Sequence, residues 1–127
     1  MFSHATVGTN DLAAVRPFWL AVMDVLGHPV LFDNHRSLAF GTPAGPKTFI
    51  LPPFDGGSAR AANGMHLAYI VPTRTQVDAF HAAALAHGGS DEGAPRLRPH
   101  YHPNYYGAYV RDPDGNKLQA VCHSAKG

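Results

Sequence analysis

Only one cysteine, Cys122, occurs in the 127 residues. An intramolecular disulfide is therefore excluded, and a lone thiol points to a reducing compartment and a cytoplasmic location. Cys122 sits in an apolar stretch, where a free cysteine acts as a small hydrophobe. Long apolar runs are missing too. None approaches the roughly 20 residues of a membrane span, and the N-terminus lacks the basic segment and apolar stretch of a secretory signal. Blocks of Lys or Arg are also absent. The formal net charge is +1 and the pI is about 8.0, which is too balanced for a nucleic-acid footprint or an acidic membrane. A small-molecule ligand or a protein partner fits this composition better than a polyanion. With 45% hydrophobic and 15% charged residues, the chain has enough apolar surface to bury a core. Histidine is the abundant exception, with nine copies.

Ser3–Val7 reads as a strand carrying His4. Thr9-Asn10-Asp11 then offers capping side chains, and Leu12, Val15, Trp19, Val22 and Leu26 form one helical apolar stripe that stops at Gly27. Pro17 inside that stripe predicts a loose first turn or a kink. Short strands follow at Val30–Phe32, Ser37–Phe40 and Thr48–Leu51, separated by turn residues. Pro52-Pro53 and Asp55-Gly56-Gly57-Ser58 read as a linker near the midpoint.

The pattern then restarts. Met65–Val71 reads as a strand with His66, and Thr73 three residues before Gln76 announces a helix. Val77, Phe80, Ala84 and Leu85 give its buried face, and Gly88-Gly89 ends it. Ser90–Asn104 reads as a long polar loop, Tyr106–Val110 as a strand, Asp112–Asn116 as a tight turn and Lys117–Cys122 as a closing strand. His4 precedes Gly27 by nearly the interval at which His66 precedes Gly88. Gly45-Pro46-Lys47 in the first half answers Gly115-Asn116-Lys117 in the second. Order and spacing predict two βαβββ units in one α+β domain over 1–127: a first module over about 1–53, a linker over 54–63 and a second module over about 64–124.

Three segments carry a family resemblance. "HATVGTNDLAAVRPFWLAVMDVLG", "MHLAYIVPTRTQVDAFHAAALAHGG" and "DPDGNKLQAV" resemble the two module openings and the closing turn and strand of the vicinal-oxygen-chelate superfamily. That group contains glyoxalase I, bleomycin-resistance proteins and extradiol dioxygenases. The stretch "GAPRLRPHYHPNYYGAYVRDPDG" resembles a glyoxalase-like subgroup. The resemblance implies paired βαβββ modules curling into a mixed-sheet cup with helices outside, and by analogy a homodimer. It also implies divalent-metal ligands on the first and last strand of each module.

Carried over by position, those ligands are His4, His66 and Gln119, and Phe49 stands where a fourth donor would be. Gln119 replaces a common Glu, so the set is two imidazoles and an amide, suited to Zn, Ni, Mn or Fe but bringing no negative charge. The loop Arg98–Tyr106 is the other candidate region. His100, Tyr101 and His102 are candidates for proton transfer, while Phe49, Tyr105, Tyr106 and Arg98 are candidates for lining the pocket. A solvated loop arginine is the plainer reading of Arg96 and Arg98. His81 and His87 are expected to face solvent, and His28, His35 and His123 have no evident partner.

Two functions follow from the resemblance. One is a glyoxalase-like, metal-dependent lyase or isomerase that chelates two neighbouring oxygens and stabilises an oxyanion. The other is a metal-free cup that sequesters a small molecule, as bleomycin-resistance proteins do. Phe49 and the tyrosines favour the second, and the paired His4 and His66 the first. Extradiol ring cleavage fits less well without a carboxylate ligand.

Overall fold

The computed structural model describes residues 1–127. The first module comprises β1 (His4–Gly8), α1 (Leu12–Leu26), β2 (Val30–Asp33), β3 (Leu38–Gly41) and β4 (Lys47–Leu51). The second comprises β5 (Leu67–Ile70), α2 (Arg74–Ala86), β6 (Ser90–Leu97), β7 (Tyr106–Arg111) and β8 (Lys117–Cys122). Each module forms a four-stranded mixed sheet, ordered β1-β4-β3-β2 and β5-β8-β7-β6. In both, the first strand runs parallel to the last and the remaining pairs are antiparallel. The two sheets do not close into a barrel.

Local chemistry sets the helix ends. The Asp11 carboxylate accepts the Ala14 amide at 3.2 Å, and Gly27 ends α1 with φ of 82°. α1 runs unbroken through Pro17, at the cost of one backbone donor. The Thr73 hydroxyl accepts the Gln76 amide at 3.2 Å and starts α2. The Gln76 side chain also donates to the Val25 carbonyl at 3.3 Å, tying α2 to α1.

Residues of both modules share one core. Phe18 and Trp19 of α1 meet edge to face at 5.5 Å, and with Phe80 of α2, Ile50 of β4 and Leu118 of β8 they are fully buried or nearly so. Each such side chain contributes on the order of 1.5–3 kcal/mol of transfer free energy. Strand alternation sorts the rest. Leu118, Ala120 and Cys122 face the core, so Lys117 and Gln119 lie on the sheet's other, open face.

The Asp112–Asn116 turn joins the modules as well as connecting β7 to β8. Thr9 donates its hydroxyl to the Asp114 carboxylate at 2.6 Å, and Asn116 donates its amide to the Gly8 carbonyl at 3.2 Å. The buried Asp112 carboxylate accepts the backbone amides of Asp114 and Asn116 at 3.0 and 2.8 Å. Burial pushes its pKa above the ordinary value.

One sequence expectation needs correcting: the segment expected to be loop from Ser90 to Asn104 contains strand β6 over Ser90–Leu97. It was hidden because β6 is an edge strand, mostly exposed, with irregular pairing between Asp91 and Gly93 and between Gly93 and Arg96. Pro95 and the charges hide its alternation, features that edge strands tolerate. No helix is long and apolar enough to cross a membrane.

Candidate functional site

The pairing register fixes which residues are equivalent in the two modules. Thr6 pairs with Phe49 across β1 and β4, and Ala68 pairs with Gln119 across β5 and β8. Phe49 and Gln119 therefore occupy the same place, as the matched Gly-Pro-Lys and Gly-Asn-Lys turns predict. His4 pairs with Lys47 in the first module. His66, one residue before β5, stands beside Lys117 in the continuation of the second register.

Each first-strand histidine rests on an aromatic ring of its own open face. His4 meets Phe49 edge-on at 5.1 Å, and Phe49 in turn meets Phe32 at 5.8 Å. His66 meets Tyr109 at 5.5 Å. Both histidines line one cavity of about 690 Å³ along the seam between β1 and β5, with Thr48, Tyr69 and His28 among its other walls. The Thr48 and Tyr69 hydroxyls meet at 3.1 Å across this seam. Burial pushes the Tyr69 hydroxyl up to about 12, against the opposing effect of the Thr48 bond. Burial also holds His28 below its ordinary value, favouring a neutral ring.

Gln119 is buried, and its side-chain amide donates to the Tyr105 hydroxyl at 2.7 Å. Gly107 makes room for this pair: a Cβ there would lie 2.9 Å from the Gln119 amide nitrogen and 3.3 Å from the Tyr105 ring. The donor set thus reads as His4 and His66 on a shared cavity, an amide engaged with a tyrosine, and a phenylalanine in the fourth place. No group of three or more His, Cys, Asp or Glu side chains is arranged to hold a metal ion. Two imidazoles and a committed amide supply no anionic ligand, so the residues do not fit a resident divalent ion in the way a carboxylate-bearing set would.

The loop after β6 is a stack of rings. His100 lies 4.1 Å from Tyr101, and Tyr101 lies 4.7 Å from Tyr105. His102 and His123 both pack edge-on against Tyr105, and a nitrogen of each ring meets the other at 2.9 Å. Of the candidates for proton transfer, Tyr101 and His102 thus touch the Tyr105–Gln119 pair, while His100 caps the outer, exposed end. The Tyr109 hydroxyl is pushed up to about 12, chiefly by desolvation and further by the hydroxyls of Tyr101 and Tyr105.

Arg98 is not a solvated loop side chain. It is 6% exposed, its guanidinium lies 4.9 Å from the centre of the Tyr109 ring, and it donates to the Gly107 and Ala94 carbonyls. Tyr106 points the other way: its hydroxyl donates to the Asp78 carboxylate of α2 at 2.6 Å, with Arg74 over its ring. Tyr106 is thus brought to the helix side, apart from Tyr105 and Tyr109. His81, expected to face solvent, bonds Asp91 of β6 at 2.8 Å with 13% of its side chain exposed, and holds that carboxyl below its ordinary value. His87 is exposed, with its ring on the Ala83 carbonyl at 2.8 Å. Sequence reasoning missed Tyr109, Lys117 and His123. The alternation of β7 and β8 could have placed the first two on the open face, whereas nothing local marks His123.

A family model described as "Glyoxalase/Bleomycin resistance protein/Dioxygenase superfamily" matches residues 1–120. Among solved structures, a glyoxalase/bleomycin resistance protein from Albidiferax ferrireducens T118 is 36% identical with a TM-score of 0.87, covering 98% of this chain and 99% of that one. A glyoxalase-related enzyme from Fulvimarina pelagi is 24% identical with a TM-score of 0.74, covering 100% and 94%. A lactoylglutathione lyase from Agrobacterium tumefaciens shares the fold at 19% identity and a TM-score of 0.64, covering 96% and 92%. A search of curated proteins returned no match.

Proposed function

The chain belongs to the Glyoxalase/Bleomycin resistance protein/Dioxygenase superfamily, and on that premise we propose that its open faces bind a small organic molecule without a resident metal ion. The observation that carries this reading is the use of the two last-strand positions. Phe49 offers an apolar ring, and Gln119 spends its amide on Tyr105. Phe49 packs against Phe32, and Tyr109 stands beside Gln119 in the strand register; ring surfaces of this kind suit an organic ligand. In this reading Arg98, Tyr105, Tyr101 and His102 serve on the second module's open face and Phe49 and His4 on the first's.

A second reading keeps the enzyme: a glyoxalase-like, divalent-metal-dependent lyase or isomerase with His4, His66 and Gln119 as ligands. The shared cavity of the two histidines favours it. Zn, Ni, Mn or Fe bound there would act as a Lewis acid toward two neighbouring substrate oxygens. Tyr101, His100 or His102 would then hold or move the proton. Metal analysis of the purified protein separates the two. The binding reading expects no stoichiometric ion after incubation with Zn, Ni, Mn or anaerobic Fe(II). One ion per chain that disappears in both His4→Ala and His66→Ala would overturn it in favour of the enzyme.

The seam has a further feature. Phe2, Met65 and Ile70 are 78%, 58% and 70% exposed beside the edge strands β1 and β5. Apolar surface next to open strand edges supports a homodimer in which a second copy covers it. Sedimentation velocity tests this: a monomer at micromolar concentration counts against it.

A further inference from the structure

The linker between the modules is fastened over the end of their seam. The Asn10 side chain holds Ala59 at both of its polar atoms, donating to its carbonyl at 3.1 Å and accepting its N–H at 2.7 Å. Glycines leave room for the crossing. A Cβ on Gly8 would lie 3.3 Å from the Ala59 side chain, and one on Gly115 would lie 3.7 Å from that of Ala61. Arg60 stands between these two anchors. It lines a cavity of about 170 Å³ together with residues 6–8 of β1, His66 just before β5, and Asn116 and Lys117 at the start of β8.

Three residues lining this cavity are basic and none is acidic. The ion pairs of the structure join Arg16 to Asp33, His81 to Asp91 and Arg111 to Glu92, so Arg60, His66 and Lys117 belong to none of them. His66 and Lys117 are neighbours across β5 and β8, because Leu67 pairs with Leu118 one step further on. Both also meet the Tyr109 ring, at 5.5 and 4.9 Å. The acids of the adjoining turn are engaged elsewhere. Asp112 accepts the amides of Asp114 and Asn116, and Asp114 accepts the Thr9 hydroxyl at 2.6 Å and the Asn10 N–H at 3.3 Å. The first module differs: Lys47, in the place equivalent to Lys117, donates its ammonium to the Pro43 and Gly45 carbonyls at 3.0 and 2.9 Å.

Size decides what this cavity could take. At about 30 Å³ per water it holds roughly five or six waters, well below the roughly 300 Å³ at which pockets for drug-sized ligands begin. A compact space of that volume is roughly 7 Å across, so one hydrogen-bonded oxyanion spans it from wall to wall. We propose that Arg60, His66 and Lys117 form a binding site for a single oxyanion, a phosphate or a carboxylate, in this cavity. Arg60 supplies a planar fork of N–H donors, Lys117 a mobile point charge and His66 a ring N–H. Since no acid holds either cation, the anion displaces only water. The site shares Thr6, Met65, His66 and Leu67 with the larger seam cavity, so the oxyanion is either a free ion or the head of a molecule whose body lies in the seam. Phe49 and Gln119 take no part in it, and it stands apart from the ligand reading given for the open faces.

The test titrates full-length, EDTA-treated protein at an ionic strength held constant with sodium chloride, following the backbone amide shifts of Gly8, Leu67 and Asn116. The probes are inorganic phosphate, phenyl phosphate, benzoate and benzyl alcohol. Saturable shifts are expected with at least one of the three anions below about 20 mM, and none with benzyl alcohol. Arg60→Gln and Lys117→Gln are each expected to weaken binding at least about fivefold. Arg36→Gln, which removes the same charge from an exposed turn that does not line the cavity, is expected to leave it unchanged. Inorganic phosphate that binds as tightly as phenyl phosphate assigns the site to a free oxyanion. Tighter binding of phenyl phosphate or benzoate assigns it to the head of a larger molecule. Arg60 is exposed on the linker, so its variant keeps the fold and the result can be read. The proposal is overturned if no anion gives saturable shifts, if benzyl alcohol gives the same ones, or if both variants bind as the parent does. None of these outcomes bears on the metal-free reading, which is decided by ion content before EDTA treatment and by the two histidine variants.

Discussion

Gln119 and Tyr105 are joined by a 2.7 Å hydrogen bond, and both pack against the bare face of Gly107. The bond sits where the first module has Phe49, so a polar contact in one half answers an aromatic one in the other. Removing the hydroxyl leaves a buried amide without its partner, a loss of about 1–3 kcal/mol. Tyr105→Phe is therefore expected to lower the urea midpoint. Gln119→Leu, which removes the polar group itself, is expected to cost less than Tyr105→Phe. If Tyr105→Phe is neutral, the bond contributes nothing to stability.

Glycines separate two kinds of constraint. Gly89 has an unremarkable φ, but a Cβ there would stand 2.7 Å from both the Phe18 ring and the Arg111 carbonyl and 2.8 Å from the Ala84 carbonyl. Two of those three neighbours are backbone and cannot swing away. Gly27 has open space around it but a left-handed φ of 82°. Gly27→Ala is expected to cost about 1–2 kcal/mol, the left-handed penalty alone. Gly89→Ala is expected to cost more, through displacement of Phe18 from the core. Denaturant unfolding of both variants checks the order, and a Gly89→Ala protein as stable as Gly27→Ala would contradict it.

Asp112 gives the protein a pH-dependent term of unusual sign. Its pKa is raised above 3.8 in the folded chain, chiefly by burial. As pH rises through the window between 3.8 and the raised value, the unfolded chain has released this proton while the folded one keeps it. Stability contributed by Asp112 is thus greatest below that window and declines across it. Asp91 acts oppositely: its pKa is lowered, first by the His81 bond, so its contribution is present above 3.8 and lost as pH falls through the folded value. Unfolding midpoints measured across the acidic range in the parent and in Asp112→Asn isolate the first effect. The decline with rising pH is expected in the difference between them, and a flat difference would show that Asp112 titrates normally.

The repeat was legible because spacing survives where residue identity does not. His4 and His66, the two helix stripes and the matched turns at Lys47 and Lys117 predict both modules and the Phe49–Gln119 equivalence that the strand registers show. Strand β6 was not legible, because an edge strand with Asp91, Glu92, Gly93 and Pro95 has no one-sided apolar alternation to read. Within the site, Gln119 and Tyr105 could be named but not joined, since their contact depends on how the loop before β7 folds back. Arg98 reads as solvated because charged residues in polar loops usually are. Only the fold shows it lying against Tyr109. His123 lies beyond every motif and meets His102 through chain reversal alone.

The His102–His123 contact fixes a proton. The Asn104 backbone N–H points at Nδ1 of His102 at 3.1 Å, so Nδ1 is the acceptor and Nε2 carries the hydrogen in the neutral ring. Nε2 of His102 meets Nδ1 of His123 at 2.9 Å. His123 must therefore accept on Nδ1 and hold its own proton on Nε2. Both rings then rest edge-on against Tyr105, whose hydroxyl meets Gln119. Long-range nitrogen–proton NMR at neutral pH is expected to show Nε2–H tautomers for both residues, and His123→Ala to leave His102 in the same tautomer, still held by the Asn104 N–H. An Nδ1–H signal from His102 in the parent would mean that the Asn104 contact is not a hydrogen bond.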